Sequence, residues 1–85
     1  MEIFFSPRFK RSFKKLPKDL QKHTWDIIQL FKENPRNQTL RIHKLAVGEL
    51  WACSIDYKNR IIFQFMTNGS IIFINVGDHS IYRKI

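Results

Sequence analysis

The last third of the sequence carries three side chains whose types suit the cleavage of a phosphodiester bond. Arg60 opens an otherwise apolar segment, and a guanidinium is always charged and can hold two phosphate oxygens at once. His79 follows a Gly-Asp pair, and an imidazole can act as an acid or a base near neutral pH. Tyr82 can give up a phenolic proton or stack on a nucleobase. A cation, an acid–base group and a proton donor are what attack by the ribose 2′-hydroxyl on RNA requires.

Each of the three also has a purely structural interpretation. Arg60 can form an ion pair with Asp56 or Asp78 at one end of a sheet. His79 can cap the end of a strand, and Tyr82 can pack the end of the chain against the sheet. Asp78 can also orient His79, although neighbouring residues on an extended chain point apart. Both interpretations stay open at this stage.

Further basic side chains lie in the middle and at the end of the chain. Arg41, His43 and Lys44 fall within one predicted strand. Alternation along that strand places Arg41 and His43 on one face and Lys44 on the other, so His43 and Lys44 cannot easily both reach one site. We predict Lys44 and Arg41 as phosphate contacts and His43 as a candidate base. Arg83 extends this basic character at the end of the chain.

The charge of the chain is high and uneven. The formal net charge is +8 over 85 residues. Residues 1–45 hold 11 Lys and Arg against 4 Asp and Glu, whereas residues 46–85 hold 4 against 3. A basic half-domain attracts RNA, DNA or an acidic protein, but it can equally be a solvated helical surface.

The cysteine content and the apolar runs exclude several classes of protein. Cys53 is the single cysteine, so it cannot form an internal disulfide, and we interpret it as a core residue. The sequence shows no metal-binding constellation and no Gly-rich phosphate loop, and we expect no cofactor. No apolar run approaches membrane-spanning length, and the first residues do not resemble a signal peptide. We expect one domain over residues 1–85, located in the reducing cytoplasm.

The first half of the chain has helical periodicity. A short strand is predicted at the start, after which Ser6 is a good N-cap and Pro7 suits a first helical turn. Pro17 stops this helix and begins a second one, which ends before Pro35. The inward residues of the two helices recur at helical spacing and are Phe9, Phe13, Leu16, Leu20, Thr24, Ile27, Ile28 and Phe31. The pattern predicts a helical hairpin.

The second half has the period of strands. Strands are predicted over residues 40–45, 50–56, 60–66 and 70–76, separated by turns at Gly48, Asn59 and Asn68-Gly69. The last is apolar on both faces and therefore predicted to be central. The fold class is α+β, with the order βααββββ, an antiparallel sheet and the helical hairpin on one face.

The Asn68-Gly69 pair predicts the register of the last hairpin. If these are the two turn residues of a tight hairpin, Phe65 faces Ile72 and Phe63 faces Ile74. The same register places Arg60 opposite Gly77. Arg60 and His79 would then meet at one end of the sheet.

Six short motifs run along nearly the whole chain and contain all of these candidate residues except Arg41. The motifs are Phe4-Phe5-Ser6-Pro7-Arg8-Phe9, Leu16-Pro17-Lys18, His43-Lys44-Leu45 before Gly48, Trp51-x-x-x-Ile55-Asp56, Arg60-Ile61-Ile62-Phe63 and Val76-Gly77-Asp78-His79-x-x-Tyr82-Arg83. In order and spacing they resemble the RelE/ParE toxin superfamily of bacterial toxin–antitoxin systems. The last motif is similar to the Gly-x-His-Asp-x-Tyr-Arg ending of one branch, except that Ser80 stands where that branch often has Asp.

The resemblance implies a metal-independent endoribonuclease that inhibits translation by cleaving mRNA on the ribosome. It places Arg60 at the position that contacts the scissile phosphate. It also implies a cognate acidic antitoxin as protein partner and no membrane partner. Two alternatives stay open, because ParE-like members bind DNA gyrase and cut no RNA, and a non-catalytic relative would bind only an antitoxin or RNA.

Overall fold

A computed structural model describes residues 2–84 as a helical hairpin packed on a five-stranded sheet. The elements are β1 (Ile3–Phe5), α1 (Pro7–Lys14), α2 (Lys18–Glu33), a 3₁₀ turn (Gln38–Leu40), β2 (His43–Lys44), β3 (Leu50–Ser54), β4 (Asn59–Phe65), β5 (Ile71–Asp78) and a final 3₁₀ helix (His79–Lys84). The predicted α+β class and the βααββββ order are confirmed. No helix in the described residues is long and apolar enough to cross a membrane.

The two prolines act where the sequence predicts. The Ser6 side chain caps α1 by accepting a hydrogen bond from the Phe9 N–H at 3.0 Å, and Pro7 occupies the first helical turn. Pro17 precedes α2, so the two helices are joined by a short link. Inward residues at helical spacing are buried, as for Ile28 and Phe31.

The sheet is mixed. Its strand order is β1-β5-β4-β3-β2, and the four strands from β2 to β5 are antiparallel as predicted. β1 instead pairs in parallel with β5, with Ile3 beside Ile71. This parallel pairing is possible because both helices and three strands separate β1 from β5 along the chain. β5 is therefore bordered on both sides, which accounts for its continuous apolar sequence.

The two faces of the sheet have different neighbours. The helix-covered face carries Cys53, Ile61, Phe63 and Phe73, which form one buried cluster with the residues Phe9, Ile28, Phe31 and Leu40. Strand alternation places Ala52, Ser54, Arg60 and Ile62 on what we call the second face. Cross-strand partners share a face, so the second face also includes His43, opposite Ala52, and Gly77, opposite Arg60.

The predicted register of the last hairpin is correct only at the site end. The turn contains three residues, because the Met66 N–H donates to the Ser70 carbonyl and Gly69 adopts a left-handed φ of 87°. A three-residue turn with a left-handed glycine is a common alternative to the two-residue turn. Phe65 therefore pairs with Ile71, one residue away from the predicted partner.

A bulge in β5 cancels this offset. The register shifts between Ile62 and Phe63, and Ile74 is the extra residue of β5. Its carbonyl accepts a hydrogen bond from the Ser6 hydroxyl at 2.8 Å, which also fixes the start of α1. Beyond the bulge Arg60 lies opposite Gly77, as predicted.

The strand predicted over residues 40–45 is much shorter. Leu40 ends a 3₁₀ turn and is fully buried, and Arg41 follows in a left-handed conformation with φ 51° and ψ 48°. Only His43 and Lys44 pair with β3. Alternation therefore does not relate Arg41 to His43, and that part of the prediction is wrong.

Candidate active site

Arg60 is anchored to the turn that joins β3 and β4. Its Nη1 atom donates hydrogen bonds to the carbonyls of Asp56 at 2.6 Å, Asn59 at 2.9 Å and Tyr57 at 3.3 Å. A guanidinium has five N–H donors, so these contacts on one nitrogen leave others for a ligand. Among the described residues no carboxylate lies within ion-pair distance of Arg60, so the ion pair considered for it with Asp56 or Asp78 does not form.

Asp56 is occupied by its own turn instead. Its Oδ1 atom accepts hydrogen bonds from the Lys58 N–H at 2.9 Å and from the Asn59 N–H at 2.8 Å. Partial burial opposes ionisation of Asp56, but these hydrogen bonds outweigh it and hold the pKa of the carboxyl below its ordinary value. The carboxylate thus stabilises the turn on which Arg60 is anchored.

Tyr82 lies beside Arg60. The two side chains are close enough for the Arg60 charge to act on the phenol, and Tyr82 is half-buried. Burial raises the pKa of the phenol above its ordinary value, although the Arg60 guanidinium opposes the shift. The hydroxyl therefore keeps its proton at neutral pH, and Tyr82 is equipped to donate a hydrogen bond or a proton.

The final 3₁₀ helix brings His79 to the same place. The rings of His79 and Tyr82 have centroids 5.8 Å apart, and His79 is exposed. Gly77 permits this close turn, because a Cβ there would lie 2.8 Å from Cγ2 of Ile81. Arg83 is exposed on the same helix.

Asp78 is engaged at the start of this helix and not with Arg60. Its Oδ1 atom accepts a hydrogen bond from the Ser80 N–H at 2.9 Å. Hydrogen bonds from Ser80 lower the pKa of the Asp78 carboxyl. Asp78 thus acts as a cap for the 3₁₀ helix, a role that the sequence interpretation did not consider.

The positions of His43 and Lys44 separate their predicted roles. Lys44 is the cross-strand partner of Trp51, which packs on the helix-covered side. The Nζ atom of Lys44 lies 3.8 Å from the Glu49 carboxylate. His43 lies on the second face with Arg60, on the order of 12 Å away by strand spacing. This placement favours His43 over Lys44 as a group that faces the site.

One nitrogen of His43 is already occupied. Its Nδ1 atom lies 2.9 Å from the carbonyl oxygen of Arg41. A carbonyl can only accept, so this contact favours the tautomer with the proton on Nδ1, in which Nε2 has the lone pair. The ring is thereby oriented as a base acting through Nε2.

A pocket of about 320 Å³ adjoins Arg60 on the side of β2. Its lining combines two arginines with turn residues and consists of Thr39, Arg41, Ser54, Ile55, Asp56, Tyr57 and Arg60. The sequence interpretation found Arg41 and Arg60 but missed Tyr57 and Ser54. Tyr57 could have been found from its position as an aromatic residue within a turn, whereas the pairing of Ser54 with Arg60 is given only by the structure.

The described residues give less support to chemistry by a cysteine nucleophile or by a bound metal ion. Burial raises the pKa of the Cys53 thiol from 9.0 to about 12, so this side chain is not a nucleophile. No group of three His, Cys, Asp or Glu side chains within residues 2–84 is arranged to hold a metal ion.

Comparison of the sequence with protein-family models and with curated proteins gives no match. Comparison of the fold with solved structures gives several. YafQ from E. coli strain BL21(DE3) superposes with a TM-score of 0.77 at 16% identity, over 95% of this chain and 96% of that one. A chain of the RelB–RelE antitoxin–toxin complex from Methanococcus jannaschii superposes with a TM-score of 0.76 at 21% identity. The superposition covers 96% of this chain and 98% of that one.

A third structure has the same architecture. The YoeB/ParE toxin from Agrobacterium tumefaciens superposes with a TM-score of 0.74 at 13% identity, over 93% of this chain and 99% of that one. Each superposition spans nearly the whole of both chains, so the similarity covers the complete order of helices and strands and not one motif. The chain therefore has the fold of the RelE/ParE toxin superfamily.

Proposed function

We propose that this chain is the toxin of a toxin–antitoxin pair and that it cleaves mRNA. The observation that carries the proposal is the pair of neighbouring side chains Arg60 and Tyr82, which adjoins a pocket containing a second arginine. The fold supports the toxin role, since the similar structures include toxins and a RelB–RelE antitoxin–toxin complex.

The proposed reaction is a transfer within the RNA chain. The 2′-oxygen attacks the adjacent phosphorus, the bond from phosphorus to the 5′-oxygen breaks, and the products are a 2′,3′-cyclic phosphate and a 5′-hydroxyl. His43 accepts the proton of the 2′-hydroxyl at Nε2. Arg60 stabilises the additional charge on the oxygens of the scissile phosphate, and Arg41 contacts a neighbouring phosphate.

The leaving group needs a proton from the opposite side. Tyr82 donates it to the 5′-oxygen, and His79 beside it can restore the phenol. The strand order supports this division of roles, because β4 with Arg60 lies between β5 on one side and β3 with β2 on the other. Arg83 contributes a further phosphate contact from the final helix.

Ribosome-bound mRNA is the substrate that the family resemblance implies. Induced expression, followed by mapping of mRNA 5′ ends, tests the cleavage directly. We expect new 5′-hydroxyl ends within coding regions and an early loss of protein synthesis in pulse labelling. The same cleavage assayed with purified mRNA, with and without ribosomes and in EDTA, tests ribosome dependence and the metal-free route. An early loss of thymidine incorporation with intact protein synthesis would indicate gyrase inhibition and would contradict the proposal.

The protein partner that we propose is an acidic antitoxin segment. An apolar pocket of about 220 Å³ between β1, α1 and α2 is lined by Phe5, Phe9, Phe13, Trp25 and Ile28, with Lys10 and Lys14 at its side. Such a pocket fits an amphipathic helix that carries carboxylates beside its apolar residues. We expect its affinity to fall as salt increases, and equal binding at low and high salt would contradict the charge contribution.

A further inference from the structure

Tyr57 is the most exposed large hydrophobic side chain among the described residues. Its exposed fraction is 91%, at the tip of the turn between β3 and β4. The other exposed apolar side chains, such as Trp25 at 49% and Phe65 at 45%, still pack against neighbouring rings. A fully exposed ring stabilises a fold little, so its place beside a charged pocket calls for another explanation.

The backbone that carries Tyr57 is held firmly. Asp56 accepts hydrogen bonds from the two residues that follow Tyr57, including one from Nδ2 of Asn59 at 3.0 Å. The Tyr57 carbonyl itself accepts a hydrogen bond from the Arg60 guanidinium. The Tyr57 ring therefore projects from a turn that hydrogen bonds hold in place. One of these hydrogen bonds comes from Arg60, the proposed phosphate-binding residue.

Arg41 lies in the lining of the same pocket, in an unfavourable backbone conformation. Its left-handed φ of 51° is uncommon for a residue other than glycine, asparagine or aspartate. The preceding Leu40 is fully buried, and the Arg41 N–H donates to the Gln38 carbonyl at 3.1 Å, so the surrounding structure maintains this conformation. The pocket that contains both arginines and Tyr57 has a volume of about 320 Å³, within the range of small-ligand sites.

We propose that Tyr57 is a base-stacking residue that binds an unpaired nucleotide next to the scissile phosphate. The nucleobase lies on the Tyr57 ring while Arg60 and Arg41 contact the phosphates on either side of that nucleotide. This inference rests on the proposed function, whose substrate class it narrows to single-stranded RNA. Stacking tolerates every base, so Tyr57 contributes affinity and not sequence preference.

A fluorescent RNA tests the stacking directly. The probe is a short single-stranded RNA with 2′-O-methyl groups, which cannot be cut, and with 2-aminopurine placed at each position in turn. The fluorescence of 2-aminopurine falls when it stacks on an aromatic ring. We expect at least one position to be quenched by the wild-type chain and by Tyr57→Phe, but not by Tyr57→Ala.

The affinities provide the second measurement. Tyr57→Ala should raise the Kd for the probe about 10-fold, as expected for the loss of one stacked base, whereas Tyr57→Phe should leave it unchanged. Val47→Ala is the matched control, because Val47 is also exposed in a turn but at the other end of the sheet. Its affinity and quenching should equal those of the wild type, and all three variants should melt at the wild-type temperature.

The outcomes separate this inference from the proposed function. Quenching that depends on the ring at position 57 supports the stacking role, whether or not unmodified mRNA is cleaved. Unchanged quenching and Kd in Tyr57→Ala overturn the stacking role, while cleavage of unmodified mRNA by the wild type would leave the proposed function intact. A wild-type chain that neither binds the probe nor cleaves mRNA overturns both.

Discussion

The two faces of the sheet differ in what their side chains contact. On the helix-covered face Phe31, Phe63 and Phe73 are fully buried, and their rings meet edge to face at centroid distances between 5.1 and 6.1 Å. On the second face, near the turn between β3 and β4, Arg60 and His43 form polar contacts and remain accessible. The aromatic cluster therefore lies on one face, and the candidate chemistry lies at one end of the other.

This separation has a measurable consequence. A substitution on the helix-covered face should change the free energy of unfolding with little direct effect on chemistry. A substitution at the site end of the second face should do the reverse. Variants that fail to follow this division identify the places where one side chain serves both purposes.

The largest loss of stability is expected at Phe73. Its ring contacts those of Phe5, Phe9, Phe31 and Phe63, so Phe73→Ala leaves a cavity at the centre of the cluster. The free energy of unfolding should fall by about 3–5 kcal/mol, a large part of the total for a small domain. Urea denaturation measures it. Ile72→Ala, at the half-buried neighbouring position, should cost clearly less, and equal costs would contradict the assignment of faces.

The largest loss of activity is expected at Arg60. Arg60→Ala should lower the rate of RNA cleavage on the order of 100-fold or more, the scale seen for one preorganised charge-stabilising donor. Arg60→Lys should restore only part of it, because an ammonium cannot hold two oxygens in a fixed fork. The variant also loses its hydrogen bonds to the turn, at a cost of about 1 kcal/mol, so cleavage is measured well below the melting temperature. Full activity in a folded Arg60→Ala would place the active centre elsewhere.

His43 and Lys44 are a matched pair of neighbours on opposite faces. His43→Ala should reduce cleavage about 100-fold and flatten its dependence on pH near neutrality, as expected for the loss of a general base. Lys44→Ala removes only an exposed ion pair with Glu49, and we expect the cleavage rate to change by less than about 3-fold. Cleavage rates of both variants across pH decide between them. The opposite result would mean that Lys44, and not His43, reaches the phosphate.

A smaller effect is expected at His79. If His79 restores the proton that Tyr82 donates, His79→Ala should slow cleavage. The loss of rate should be at most as large as that in His43→Ala. The exposed ring contributes little to the fold, so the melting temperature should stay near that of the wild type. Single-turnover rates of His79→Ala and Tyr82→Phe, alone and combined, measure the coupling. Fully additive losses would show that the two side chains do not act as one proton donor.

The sequence predicts the helices and the α+β class well because Ser6, Pro7 and Pro17 act locally, through caps and missing N–H groups. It predicts the last hairpin less well, because the Asn68-Gly69 pair is compatible with two turn lengths. Arg60 was correctly placed opposite Gly77 because two offsets cancel, one at the turn and one at Ile74. The second offset depends on a hydrogen bond from Ser6, 68 residues away, which no local pattern reveals.

The candidate site shows the same limit. Residue type identifies Arg60, His79 and Tyr82. The hairpin places Arg60 opposite Gly77, and the final 3₁₀ helix, which follows Gly77, carries the other two side chains. Tyr57 was not recognised, because its significance depends on exposure and on the pocket that it shares with Arg41. The prediction of a strand around Arg41 is wrong because Leu40 lies in a 3₁₀ turn. Leu40 is buried, as an apolar strand residue would be, but its backbone does not have strand geometry.

The smallest expected effect is the alkaline loss of stability due to Cys53 on the helix-covered face. Burial raises the pKa of the folded thiol from 9.0 to about 12. Between these values the unfolded chain releases the proton and the folded chain keeps it, so stability falls as the pH rises, by at most about 1.4 kcal/mol per pH unit. Urea midpoints of the wild type and Cys53→Ala, measured from pH 8 to pH 10, test this. Below pH 10 the raised pKa of Tyr82 contributes little to the pH dependence of stability in either chain. The wild type should lose stability more steeply than Cys53→Ala, and parallel curves would mean that water reaches the thiol in the folded state.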